Sequence, residues 1–210
     1  MKIAMCLPIH GGGKPAFIQS FGRMMDWTYR SNLQGADGQP VRVAIETLVY
    51  SSSSVAYSRC KIAAAALEWG ADWLLWLDAD QTFPPATLVR LLGRQKAVVG
   101  ANYRRREPER VSSTAFRDRD GTLEPAFPQG DGIEPVVHLG LGICLTHADV
   151  FRRIERPFFF MDSRADGTLI GEDIGFFAKV RAAGIQVFVD HALSREVGHI
   201  ADVELRFPEA

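Results

Sequence analysis

Apolar and polar residues alternate along the first half of the chain in blocks that predict strands and helices in turn. The run 73–77 contains only tryptophan and leucine, and an apolar run of this length is typical of a strand buried on both faces. Similar stretches predict a first strand over residues 2–9 and a second over 41–49. Between them, apolar residues at helical spacing predict an amphipathic helix over 15–32.

Capping residues mark a second helix between the second and third strands. Ser51 to Ser54 offer N-cap side chains for a helix that runs to about Trp69, and Gly70 follows its end. The remaining predicted elements are a helix over 84–92, a strand over 96–103, a strand around 111–116, a strand over 136–146, a helix over 148–154, a helix over 172–183 and a strand over 185–190, followed by an irregular tail from residue 191. This order predicts an α/β fold with a mostly parallel sheet and helices on both faces.

The composition fits one ordinary globular domain. The chain has 210 residues, 47% of them hydrophobic and 23% charged, and this size is typical of a single domain over 1–210. A net charge of -1 gives no reason to expect nucleic acid as a partner. Because no run approaches the roughly 18 apolar residues of a membrane helix, no transmembrane segment is predicted. Three widely spaced cysteines in apolar surroundings (Cys6, Cys60 and Cys144) indicate reduced thiols and a cytoplasmic location.

Two carboxylates follow the predicted strand 73–77. Asp78 and Asp80 stand two residues apart at the strand end, so both can face one point at the carboxyl edge of the sheet, where open α/β folds bind their ligands. Two such carboxylates repel each other unless a cation neutralises them, and Mg²⁺ or Mn²⁺ suits an oxygen-only pair. The alternative is a solvated turn in which an aspartate caps the next helix.

Two later segments carry further candidates. Glu172 and Asp173 open a predicted helix after Gly171, where acidic residues are favoured by capping and the helix dipole alone; either can also be a general base if the sheet brings it opposite the metal site. His199 follows Gly198 in the tail, and its imidazole can bind Mn²⁺. The alternative for His199 is an ordinary polar group with its hydrogen bonds made.

Taken together in this order, these segments resemble the GT-A glycosyltransferases, in particular compact family 2-like members. The resemblance covers nearly the whole chain. It rests on the first strand ending at Pro8, the helix segment 57–63, Trp73–Leu77 with Asp78-Ala79-Asp80, Leu139-Gly140-Leu141-Gly142, Gly171-Glu172-Asp173 and Val197-Gly198-His199-Ile200. It implies a single GT-A domain in which residues 1–103 bind the nucleotide and 104–210 the donor sugar and acceptor.

The resemblance also implies a role for each candidate residue. The donor would be a nucleotide-diphosphate sugar, most simply a UDP-sugar, and the acceptor an unidentified hydroxyl compound. By similarity, the metal ligands are Asp78, Asp80 and His199; the donor-binding residues are Pro8, Ile9, His10, Glu46, Arg59, Asp78, Ala79, Gly140 and Gly142; and the catalytic residues are Asp173, as general base, and Glu172, in support. The cofactor would be Mn²⁺ or Mg²⁺, which would stabilise the diphosphate leaving group.

Several alternatives stay open at this stage. Gln81 stands where many family 2 enzymes have another acid, and a retaining reaction, in which Asp173 would only bind, is compatible with the pattern. The arginine-rich loop 104–110 either grips anionic phosphates or is solvated, with Glu107 and Glu109 compensating its charge. Gly11-Gly12-Gly13-Lys14 fits a nucleotidyltransferase in part. A non-catalytic sugar- or nucleotide-binding module is the third possibility.

Overall fold

The computed structural model describes residues 1–33, 38–107, 111–163, 165–201 and the backbone of 204–205. The helices are α1 (Pro15–Arg30), α2 (Val55–Trp69), α3 (Thr87–Gly93), α4 (Ala148–Arg153), α5 (Glu172–Ala182) and α6 (His191–Glu196). The strands are β1 (Lys2–Pro8), β2 (Ala44–Tyr50), β3 (Trp73–Leu77), β4 (Gln81–Thr82), β5 (Val98–Gly100), β6 (Phe116–Arg119), β7 (Thr122–Pro125), β8 (Ile133–Val136), β9 (Ile143–His147), β10 (Asp162–Ser163), β11 (Leu169–Ile170), β12 (Val187–Asp190), β13 (Gly198–Ile200) and β14 (Glu204–Leu205). Residues 108–110 of the predicted loop 104–110 lie outside this described part.

Seven strands form the central sheet in the order β2-β1-β3-β9-β5-β12-β8. Strands β1, β2, β3, β5 and β12 run in one direction, whereas β9 and β8 run antiparallel to their neighbours. The mostly parallel α/β sheet predicted from the sequence is therefore confirmed. The carboxyl ends of β1 and β3 meet at one edge, where the loops after them approach each other.

Both faces of the sheet are covered by helices. In β1, Ala4 and Cys6 pack on one face in a cluster with α2, α4 and α5, whereas Ile3 and Met5 pack on the other with α1, α3 and α6. All four side chains are fully buried. Side chains alternate between the faces of a strand, so burial on both faces explains why β1 and β3 are continuous apolar runs.

The predicted ends of α2 are confirmed. The Ser54 hydroxyl accepts a hydrogen bond from the Tyr57 backbone N–H at 3.4 Å, and Gly70 ends the helix in the left-handed region at φ 79°. Residues that carry a side chain rarely adopt that backbone conformation, so glycine is favoured at this position. The cap lies only a few residues before β3 and so helps to set where that strand begins.

Three predictions for the second half are wrong. The strand expected around 111–116 does not form over those residues, because β6 begins only at Phe116. Residues 136–146 do not form one strand, because β8 ends at Val136 and β9 begins at Ile143. Strands β5 and β12 lie between β8 and β9 in the sheet, so the chain must leave the sheet and return. The tail from residue 191 is not irregular either: α6 begins there, capped by the Asp190 carboxylate, which accepts from Leu193 N at 2.9 Å, and β13 follows.

Two further observations concern the cysteines and the helices. Cys6, Cys60 and Cys144 are free thiols, and burial raises the pKa of Cys144 to about 12, so this thiol stays protonated and unreactive. Within the described ranges, no helix is both long and apolar enough to cross a lipid bilayer.

Candidate active site

The segment Asp78-Ala79-Asp80 lies beside a cavity at the carboxyl edge of the sheet. The Asp78 backbone N–H donates to the Gly142 carbonyl at 3.0 Å, and the Ala79 carbonyl accepts from Lys14 N at 3.1 Å, so the loops after β1 and before β9 hold this segment. The cavity has a volume of about 390 Å³ and is lined by Pro8, His10, Gly11, Gly12, Lys14, Val55, Asp78, Ala79, Asp80 and Arg106. Its size is within the range of small-ligand sites.

Strand β13 brings His199 to Asp80. It pairs antiparallel with β4, so that His199 lies opposite Gln81, and the Ile200 N–H donates to the Asp80 carbonyl at 2.7 Å. As a result, His199 Nε2 lies 3.6 Å from Asp80 Oδ2. The structure thus brings together two of the predicted metal ligands, Asp80 and His199, that lie far apart in the sequence.

The hydrogen bonds of His199 fix which ring nitrogen carries the proton. His199 Nδ1 lies 2.7 Å from the Arg104 carbonyl oxygen, which can only accept, so Nδ1 is the donor and Nε2 holds the lone pair. Burial lowers the pKa of His199, and the nearby Arg106 charge acts in the same direction. A neutral imidazole that donates its single N–H to a backbone carbonyl is the usual state of a histidine metal ligand.

A guanidinium lies between these two groups. Arg106 contacts Asp80 Oδ2 through Nη2 and donates from Nε to His199 Nε2 at 3.1 Å. Asp80 Oδ1 is buried and accepts no hydrogen bond from any described residue. The Asp80–His199 pair is therefore already bound by the Arg106 guanidinium. The Oδ1 atom of Asp80 stays available to a second cation.

The donor set fits a divalent cation that takes only part of its coordination from protein. Among the described residues, no three His, Cys, Asp or Glu side chains form a group that could hold a metal by themselves. Asp80 supplies one carboxylate oxygen, Oδ1, without a hydrogen-bond partner among the described residues, and His199 supplies the lone pair of Nε2, which accepts from Arg106 in this structure. Mn²⁺ and Mg²⁺ commonly use one or two protein ligands and take the rest from substrate phosphates and water, so two groups are compatible with such a site.

Asp78 has a different partner from Asp80. Arg59 Nη2 donates to Asp78 Oδ1 at 2.9 Å, and Arg59 Nε lies 3.3 Å from Glu172 Oε1. The Arg59 side chain is only 4% exposed, so this arginine belongs to the interior of the site and not to the solvated surface of α2. Asp78 and Glu172, which are separated in sequence by almost half the chain, thus share one buried counter-charge.

Burial and neighbouring charges shift the pKa values of Arg59 and Glu172 in opposite directions. Burial alone would lower the pKa of Arg59, but Asp78 and Glu172 outweigh it and raise the pKa. Burial raises the pKa of Glu172, although Arg59 opposes the shift. Arg59 Nη1 is buried without a hydrogen-bond partner among the described residues. Because Arg59 already binds Glu172, this carboxylate is a poor candidate for accepting a substrate proton.

Asp173 lies at the start of α5 with a histidine behind it. Its Oδ1 accepts from the Ile174 N–H at 2.8 Å, and its Oδ2 lies 3.7 Å from His138 Nε2. The Asp173 side chain is 29% exposed, so a ligand can reach the carboxylate. Burial lowers the pKa of His138 and Asp173 opposes the shift, which leaves a neutral imidazole beside the carboxylate at neutral pH.

The two glycines between β8 and β9 make room for a tyrosine. A Cβ on Gly140 would lie 2.5 Å, and a Cβ on Gly142 2.7 Å, from the Tyr103 hydroxyl oxygen. The Gly142 N–H donates to that same oxygen at 3.0 Å. The absence of side chains at these positions is therefore explained by packing against Tyr103. Gly142 also accepts a hydrogen bond from the Asp78 N–H through its carbonyl and so helps to position Asp78.

One predicted donor residue lies away from this edge. Glu46 pairs in register with Ala4, and Ala4 lies opposite Leu74 on β3. Asp78 is four residues beyond Leu74, which corresponds to roughly 13 Å along a strand. Glu46 is thus exposed in the middle of the edge strand and not at its carboxyl end, and the structure does not bring it to the cavity.

Sequence reasoning also missed contacts that the tertiary structure creates. Ile9, a predicted donor-binding residue, lies between the cavity-lining residues Pro8 and His10 but does not line the cavity itself. Its N–H donates to the Tyr50 carbonyl at 3.0 Å. Neither Tyr103 nor His138 belongs to a short motif, so no local signal could have identified them. Arg106 could be found only as one of several arginines in a loop.

The comparisons with known proteins bear on the fold. No protein-family model and no curated protein sequence matches the chain. The crystal structure of A197 from STIV is similar with a TM-score of 0.63 and 20% identity, over 96% of this chain and 87% of that chain. GalNAc-T7, a GT-A glycosyltransferase solved with UDP, GalNAc and Mn²⁺, is similar with a TM-score of 0.57 and 10% identity, over 95% of this chain and 44% of that chain. These likenesses show a GT-A-like fold.

Proposed function

We propose that this chain is a metal-dependent glycosyltransferase that moves a sugar from a nucleotide-diphosphate sugar, most simply a UDP-sugar, to an acceptor hydroxyl. The observation that carries the proposal is the approach of Asp80 and His199 beside the cavity lined by Pro8 and His10. The GT-A-like fold supports it, as does the UDP and Mn²⁺ held by the neighbour GalNAc-T7. Residues 1–103 supply most of the nucleotide side, and 104–210 the sugar and acceptor side.

The nucleotide-sugar lies over the carboxyl edge of the sheet in this proposal. Pro8, His10 and Ala79 line the cavity that takes the nucleotide, and Lys14 adds a positive charge to its wall. Asp80 and His199 would hold Mn²⁺ or Mg²⁺, and such an ion would offset the charge that develops on the diphosphate leaving group. Asp78 is oriented by Arg59 and accepts a hydrogen bond from the donor ribose.

Asp173 acts on the acceptor. A bond forms between the acceptor oxygen and the anomeric carbon, the bond from that carbon to the diphosphate oxygen breaks, and the hydroxyl proton passes to Asp173. His138 stays neutral and orients the carboxylate through Oδ2. Glu172 remains bound to Arg59 and holds the start of α5 in place. If the product retains the donor's anomeric configuration, Asp173 binds the substrate without taking the proton.

Turnover of nucleotide sugars tests the proposal. A thermal-shift screen of nucleoside diphosphates with and without Mn²⁺ first selects the nucleoside, because a ligand of the folded state raises the melting temperature. Release of nucleoside diphosphate from the matching sugars is then measured for the wild type, Asp80→Ala and Asp173→Asn. We expect Asp80→Ala to lower turnover roughly 100-fold or more.

The same assay provides a control variant and the outcomes that would contradict the proposed function. Asp26→Asn removes an exposed carboxylate that pairs with Arg30 far along α1, and it should leave turnover unchanged. Unchanged turnover in Asp80→Ala would exclude Asp80 as the metal ligand. Binding of a donor with no product from any sugar would instead favour a non-catalytic binding module.

A nucleotidyltransferase acting on a sugar phosphate is the second candidate. The observation that favours it is that Gly11, Gly12 and Lys14 line the same cavity as Asp78 and Asp80. Both glycines have positive φ, at 73° and 94°, as expected of a tight loop that approaches phosphates closely. Release of pyrophosphate from a nucleoside triphosphate would support this reaction, and release of nucleoside diphosphate from a nucleotide sugar would exclude it.

A further inference from the structure

Arg106 contacts both protein groups that the proposed metal site uses. Its guanidinium pairs with Asp80 Oδ2 and donates through Nε to His199 Nε2. The side chain comes from the segment after β5 and also lines the cavity. A positive charge from the protein itself thus lies where the cation would bind.

The chemistry of the imidazole makes the two cations exclusive. His199 donates from Nδ1 to the Arg104 carbonyl, so Nε2 has a single lone pair. That lone pair accepts the Arg106 N–H at 3.1 Å and cannot coordinate a metal at the same time. A divalent ion beside the guanidinium would also be repelled at a few ångströms. Metal binding to His199 therefore requires Arg106 to leave.

The position of Arg106 permits this exchange. Its side chain is 51% exposed, and ion pairs at that level of exposure stabilise a structure only slightly. Once released, the planar guanidinium suits two phosphate oxygens well, and the cavity it lines is where the donor diphosphate is proposed to lie. A diphosphate that carries a divalent ion can thus draw Arg106 away from Asp80 and His199 and deliver the ion to these two residues.

We propose that Arg106 and a divalent cation are alternative partners of the Asp80–His199 pair, and that a bound diphosphate favours the cation by taking Arg106 for itself. This inference deepens the proposed function and rests on its metal site. It makes metal binding weak in the absence of a diphosphate and gives Arg106 a second role as a phosphate-binding residue.

Direct measurement of Mn²⁺ binding to the full chain tests the exchange. Mn²⁺ alone, and a preformed Mn²⁺–pyrophosphate complex, are titrated into wild type, Arg106→Gln and Arg105→Gln, with calorimetry and the spin-resonance signal of free Mn²⁺ as readouts. Arg105 is a matched control, since it carries the same charge one residue away but its guanidinium lies over the Phe116 ring, 5.5 Å from the ring centre.

The expected changes have opposite signs for the two ligands. Arg106→Gln should bind Mn²⁺ alone about 3- to 50-fold more tightly, the range for loss of one surface ion pair and one competing hydrogen bond. The same variant should bind the Mn²⁺–pyrophosphate complex more weakly than wild type. Arg105→Gln should change Mn²⁺ affinity by no more than about 2-fold, the effect of a distant screened charge.

Two results would overturn the exchange. If Arg106→Gln binds Mn²⁺ no more tightly than wild type, or if both arginine variants change equally, Arg106 does not compete for the site. Asp80→Asn separates this failure from failure of the proposed function. If Mn²⁺ binds and Asp80→Asn abolishes it, the metal site stands and only the exchange is wrong; if no protein binds Mn²⁺ in either form, both are wrong.

Discussion

Replacement of Arg59 by methionine tests whether one buried guanidinium holds the two acidic segments of the site together. Methionine keeps an unbranched apolar stem beside Trp76, whose ring centre lies 5.8 Å from the guanidinium carbon, but leaves Asp78 and Glu172 without their shared counter-charge. Removal of one partner from a buried ion pair costs about 3 to 5 kcal/mol. Because the Asp78 side chain keeps 26% of its exposure, we expect the lower part of this range.

The assay is urea unfolding at two pH values. At pH 7.5, Arg59→Met should lower the free energy of unfolding by about 3 kcal/mol, or the melting temperature by roughly 6 to 12 °C for a chain of this size. The folded-state pKa of Glu172 is already raised by burial, and loss of Arg59 raises it further. A carboxyl pKa that is raised in the folded state costs stability in full above the folded-state value, and the cost disappears as the pH falls to the unfolded value of about 4.3. The deficit should therefore shrink as the pH falls toward 4.5.

The control is a second arginine with an acidic partner. Arg30 pairs with Asp26 on the surface of α1, where the two side chains are 78% and 61% exposed. Arg30→Met should change the free energy of unfolding by less than about 0.5 kcal/mol, with no dependence on pH in this range. A loss below about 1 kcal/mol in Arg59→Met, or an equal loss at pH 7.5 and pH 4.5, would refute the argument.

Two further predictions concern groups around the site. Gly142→Ala places a methyl group 2.7 Å from the Tyr103 hydroxyl and should lower the free energy of unfolding by about 1 to 3 kcal/mol, whereas Gly93→Ala, which meets no atom within 4 Å, should be neutral or stabilising by up to about 1 kcal/mol. Equal urea midpoints for both variants would contradict this. Burial lowers the folded-state pKa of His138. The neutral imidazole therefore contributes its full stability above the unfolded-state pKa of about 6.5, and this stability is lost as the pH falls through the folded-state pKa. The wild type should therefore lose more stability than His138→Gln between pH 7 and pH 5, and parallel losses would show that His138 does not titrate in this way.

Local features of the sequence were sufficient for the parallel half of the sheet. The run Trp73–Leu77 had to be a buried strand because it offers no polar face, and the structure buries Leu74 to Leu77 completely. Ser54 and Gly70 set the ends of α2 through their own backbone and side-chain chemistry. For the candidate site, the same local reading located Asp78 and Asp80 at a strand end and His199 in the tail, and the resemblance to GT-A enzymes implied that all three are metal ligands.

The partners of those residues depend on strand order and register, which no local pattern contains. Glu46 was expected at the edge, but the pairing of β2 with β1 puts it at the level of Ala4. His199 reaches Asp80 only because β13 pairs with β4, and Arg59 joins Asp78 to Glu172 only because α2 and α5 pack on the same face of the sheet. The sequence by itself therefore determined which segments are strands and which of them end in carboxylates. Only the tertiary structure decided which charges neutralise them, because these contacts join residues far apart along the chain.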